Sequence, residues 1–169
     1  MGRIPFLLFA LFLPLTLWAA DHPVVARLLA AERAPAGVVF EIVTADSHAL
    51  AWTVPWVAEQ ARRLRGRFPG LPIAVVSHGR EMFALTGEQR TAQPELHAGV
   101  QKLVQEEGIA LHVCETHAGW RGVAAEAFPE YVNVSAAGPV QVQDYLALGY
   151  VLVKITARDR GLAPADGLK

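Results

Sequence analysis

Short apolar runs alternate with amphipathic stretches along this chain. The run "GVVFEIV" (37–43) is rich in β-branched and aromatic residues and predicts a buried strand. "LPIAVVSHG" (71–79) predicts a second strand, introduced by the turn "FPG". "IALHVCE" (109–115), "YVNVSA" (131–136) and "VLVKI" (151–155) predict three more.

The intervening stretches carry helical signals. Residues 47–68 predict a helix with Asp46 as N-cap and Pro55 as its kink or true start. Residues 94–108 give the clearest pattern: Leu96, Val100, Leu103 and Val104 share one face, Pro94 suits the first turn and Gly108 the end. Residues 138–150 predict a short helix, and 21–36 a short leading helix. The stretch 158–169 lacks apolar periodicity and is expected to be a mobile tail.

Strands alternating with helices predict an α/β fold: a three-layer structure with a mainly parallel five-stranded sheet and helices on both faces. Residues 37–157 would form this domain. Ligands of such sheets collect beyond the carboxyl ends of the strands. That topology would gather Ala45, Asp46, Ser77, His78 and Cys114.

The amino terminus changes the picture. Arg3 precedes an apolar run over residues 4–20, which Asp21 ends. A basic start, an apolar core and small residues before a polar one describe a secretory signal peptide, with cleavage expected after Ala19 or Ala20. The run is also near the lower limit for a membrane span, so an uncleaved anchor is the other reading. Signal cleavage implies a periplasmic or secreted protein with no membrane attachment. The rest is of single-domain length, enough to bury an ordinary core. A net charge of −1, without basic runs, argues against a nucleic-acid partner.

Chemistry concentrates in "LHVCETHAGW", residues 111–120, which holds the only cysteine. One thiol cannot form an internal disulfide. Alternation along a strand turns His112 and Cys114 to the same face, while His117 lies in the following loop. Three readings compete. Cys114 could be a nucleophile or sulfur carrier, working as the thiolate, with His78, His117, Arg121 or the amides around Gly119 stabilising it. It could join His112 and His117 in a non-catalytic binding site for a soft metal or a small ligand, although H-x-C-x-x-H matches no standard zinc spacing. It could be a small buried hydrophobe. Gly79, after His78, would let the backbone approach a ligand closely, or simply make a turn. Trp52 and Trp56, four apart, predict core packing or a subunit contact, while His48 and His97 are expected on solvated helix surfaces.

Three segments, "LPIAVVSHG", "IALHVCET" and "YVNVSAAGPVQVQDYLALGYVLVKI", resemble the DsrE/DsrF-like sulfur-relay proteins. The resemblance spans residues 37–155. It implies a parallel sheet between helices, and it matches Cys114 to the cysteine that carries persulfide sulfur in relay members. It further implies a sulfur donor or acceptor, protein or small compound, as partner, a homo-oligomer, and no dissociable cofactor. Close relatives continue the cysteine as Cys-Glu-Asn-Thr, whereas here Cys114 is followed by Glu115, Thr116 and His117.

Overall fold

The computed structural model describes residues 22–162. Five strands form one sheet: β1 (Gly37–Ile42), β2 (Ile73–Ser77), β3 (Ala110–Cys114), β4 (Asn133–Ser135) and β5 (Tyr150–Ile155). Their order is β4-β3-β2-β1-β5 and every pairing is parallel. The chain steps outward from β1 to β4, then returns across the sheet to place β5 on the free side of β1. The fold is therefore α/β with helices on both faces, as the alternation of patterns predicts.

The helices are α1 (Pro23–Ala30), α2 (Leu50–Arg67), α3 (Pro94–Gln105), α4 (Glu115–Gly119) and α5 (Gly138–Ala147). Residues on one face of the strands, including Phe40, Val75, Val113 and Val153, form the main core with α1, α2 and α3. Residues of opposite parity, Val39, Ala74 and Val76, form a smaller core with Val142 of α5. The central strands β1 and β2 are buried on both sides, which explains runs that are apolar except for Glu41 and Ser77. Trp56 meets the Phe40 ring edge-to-face at 5.9 Å, and both Trp52 and Trp56 are core residues.

Four local expectations are corrected. The helix expected from residue 47 begins at Leu50, because Asp46 caps the preceding turn: its Oδ1 accepts the His48 amide at 2.9 Å. Pro55 lies inside α2 and does not start it. His97 is buried; Tyr131 Oη lies 2.7 Å from Nδ1, and Nε2–H donates to the Ala84 carbonyl at 3.1 Å. Residues expected as a mobile tail begin with a 3₁₀ helix, Ala157–Leu162, which Asp159 anchors by accepting from the Thr156 amide and hydroxyl at 2.7 Å each. The expected signal peptide, residues 1–20, lies outside the described residues, as does the rest of the tail.

Candidate functional site

Cys114 is the last residue of β3 and the residue from which α4 starts. Its side chain caps that helix: Sγ accepts the His117 amide at 3.3 Å. Cys114 is 4% exposed and lines a pocket of about 490 Å³ beyond the carboxyl ends of β1, β2 and β3. Val43, Trp120, Ala137 and Pro139 make the walls mostly apolar; His78, Arg80 and His117 supply polar groups. This is where an open parallel sheet is expected to bind ligands.

The sheet aligns a row of polar side chains behind the thiol. His117 Nδ1–H donates to the His78 carbonyl at 2.9 Å, since a carbonyl can only accept. His78 Nε2–H donates in turn to Glu41 Oε1 at 2.9 Å. The other oxygen of Glu41 lies 3.5 Å from Lys154 Nζ. The row crosses the ends of β3, β2, β1 and β5. Phe83 and Trp120 flank the His117 ring at 5.1 and 5.9 Å.

The pocket floor is held by Glu81, a fully buried carboxylate. It accepts from Ser77 Oγ and the Gly79 amide at 2.9 Å each, and from the Thr44 amide at 3.0 Å. Three donors satisfy it, as a buried polar group requires. It thereby joins the loops after β1 and β2.

Several predicted site residues stand elsewhere. His112 lies on the face covered by α5, but both ring nitrogens are engaged: Ser135 Oγ lies 2.9 Å from Nδ1 and Tyr145 Oη 2.9 Å from Nε2. Ser135 donates to Gln141 Oε1 at 2.9 Å, so its oxygen accepts His112 Nδ1–H, and Tyr145 donates to Nε2. Burial lowers the His112 pKa, and burial together with nearby Tyr150 raises that of Tyr145, consistent with this neutral arrangement. His112 thus fastens α5 to the sheet edge, and among the described residues no three His, Cys, Asp or Glu side chains gather as a metal site. The triad His112, Cys114 and His117 is not assembled.

Arg121 is exposed and packs its guanidinium over the Phe83 ring at 5.8 Å, outside the pocket lining. The amides of Trp120, Arg121, Gly122 and Val123 are bonded to Thr116, Ala118 and Gly119 carbonyls. They close the turn after α4 rather than point at the thiol. Gly119 is exposed at the end of α4, away from any approach. Gly79 serves structure: a Cβ there would lie 2.5 Å from the Thr44 nitrogen. Glu41, Glu81 and Tyr145 escaped sequence reasoning. Only Glu41 carried a signal, as the one charge inside an otherwise apolar strand.

No family model matches this chain, and no curated protein does. Among solved structures, it is similar to the protein of unknown function MTH1491 from Methanobacterium thermoautotrophicum, with a TM-score of 0.57 and 19% identity over 70% of this chain and 97% of that one. It is also similar to the conserved protein of unknown function BT1422 from Bacteroides thetaiotaomicron, with a TM-score of 0.51 and 13% identity over 71% of this chain and 95% of that one. At these identities the likeness establishes the fold; the chemistry must be argued from the site.

Proposed function

We propose that this protein is an exported sulfur carrier of the DsrE/DsrF-like kind, binding or transferring sulfane sulfur as a persulfide on Cys114. The observation that carries the reading is the position of Cys114: it ends the interior parallel strand β3 and lines an apolar pocket beyond the strands' carboxyl ends, where open parallel sheets generally bind ligands. The His117 amide donates to Sγ at 3.3 Å, and the thiolate is the form of a cysteine that attacks and holds sulfur. Thiolate Cys114 attacks the outer sulfur of a donor, keeps it as a persulfide, and yields it to an acceptor thiol by the same exchange. The apolar walls shield the persulfide from water and suit soft, polarisable sulfur.

A homo-oligomer is part of the proposal. Trp120, 79% exposed, and exposed Val43 stand at the pocket rim, where a second copy or a sulfur-delivering partner would cover them. One observation favours the other reading, an inert packing cysteine: Cys114 is buried. The two separate in a transfer assay. Protein treated with polysulfide, freed of excess reagent and mixed with a thiol acceptor should release sulfide, and Cys114→Ser should release none. Equal release from both would refute the carrier reading.

A further inference from the structure

We propose that His78, positioned by Glu41, carries the proton during sulfur transfer at Cys114, and that the donor is a low-molecular-weight organic persulfide whose departing thiol needs that proton. This rests on the reading of Cys114 as the sulfur acceptor.

The ladder between β2 and β3 ends at the pair Ser77 and Val113. Cys114 is the last residue of β3, and His78 directly follows the last residue of β2. Paired strands lie about 4.8 Å apart. Both residues line the same pocket.

The His78 ring is fixed in orientation and in tautomer. Glu41 accepts from Nε2, so Nε2 carries a hydrogen, and in the neutral ring Nδ1 holds the lone pair. The two side chains are 11% exposed each, and Lys154 balances the carboxylate. Gly138 reinforces the placement. It is the first residue of α5, and a Cβ there would overlap Cβ and Cγ of His78. Its φ is not positive, so the backbone does not require glycine; the space taken by the imidazole does. A helix start, a buried carboxylate and a strand end are thus arranged around one ring.

His117 is the competing base, since it also lines the pocket. Only a backbone carbonyl stands behind it, whereas a carboxylate stands behind His78. A carboxylate partner both orients an imidazole and stabilises the cation formed when it takes a proton.

The step balances without an oxidant. His78 Nδ1 takes the Cys114 proton, directly or through one water. Sγ attacks the outer sulfur of R–S–SH, a new S–S bond forms, and the donor's S–S bond breaks with its electron pair on RS⁻. The proton held by His78 passes to RS⁻. The products are the Cys114 persulfide and R–SH. The apolar walls limit bulk water as an alternative proton source.

The test compares two reagents on the full chain: N-acetylcysteine persulfide, whose alkyl thiolate leaves poorly without a proton, and 5,5′-dithiobis(2-nitrobenzoate), whose aryl thiolate leaves unaided. A lost general acid typically costs about 10²-fold or more. His78→Gln should therefore slow both reactions through the lost base and the alkyl reaction further through the lost acid, dropping the ratio of the alkyl to the aryl rate at least about tenfold. Glu41→Gln should lower the ratio by a smaller factor, and it carries the test if His78→Gln fails to fold. His117→Gln should leave the ratio unchanged. An unchanged ratio in the His78 and Glu41 variants, or a fall confined to His117→Gln, overturns the inference and leaves the carrier reading standing. Wild-type protein that accepts no sulfur from the persulfide overturns both.

Discussion

Gly79 and Glu81 close the space around each other. The Gly79 amide donates to Glu81 Oε1 at 2.9 Å, and a Cβ on residue 79 would run into Glu81 Oε2 and the Thr44 backbone. The contact fixes the loops after β1 and β2, and with them the pocket floor. Gly79→Ala should destabilise the protein by at least about 2 kcal/mol, the range of severe buried overpacking. Glu81→Gln keeps the shape but turns an amide donor toward one of three existing donors, and should cost about 1–3 kcal/mol. Urea unfolding of both variants checks this; wild-type midpoints would refute it.

Acid should weaken the fold through two histidines. Burial lowers the His112 pKa. Burial also lowers that of His97, opposed by the hydrogen bond to Ala84 and assisted by nearby Arg90. Each folded pKa lies below the unfolded value, so the unfolded chain takes up the proton first as pH falls. The contribution is complete above about pH 6.5 and declines below it until the folded value is passed. Unfolding midpoints at pH 7.5, 6.5 and 5.5 should therefore fall, and the fall should be shallower in His112→Asn and His97→Asn. Equal slopes in all three proteins would contradict the assignment.

Trp120 should matter for assembly and little for folding. As a residue exposed to solvent over most of its surface, its replacement by Asp should change unfolding free energy by less than about 0.5 kcal/mol. Sedimentation should show a homo-oligomer for wild type and a smaller species for Trp120→Asp. The same species in both would mean that the pocket rim is not the contact.

Export predicts a mature chain starting at Ala20, Asp21 or His22. The described fold begins at His22, whose Nδ1 accepts the Val24 amide and so caps α1. Intact-mass measurement on native protein locates the start; a membrane-bound chain retaining residues 1–19 would show an anchor.

The strands were legible because runs such as 37–42 and 73–77 are buried on both faces, and their alternation with helical patterns fits a parallel α/β sheet. His97 was legible in principle: it falls three residues before Val100 and seven before Val104, on the buried face of α3. The placement of Cys114 at a strand end could be read from the pattern. What happens past that end could not. Residues after Cys114 turn directly into α4, so the amide reaching Sγ comes from His117 rather than from the glycine-bearing turn. Pairing of His78 with Glu41 depends on register between β1 and β2, which no local signal specifies.

The central claim is that Cys114 holds sulfur, and intact mass after polysulfide treatment tests it most directly. The native protein should gain about 32 Da for each sulfur atom, lose the gain on reduction, and show none in Cys114→Ser. A wild-type mass that stays unchanged while free small thiols load under the same conditions would contradict the account.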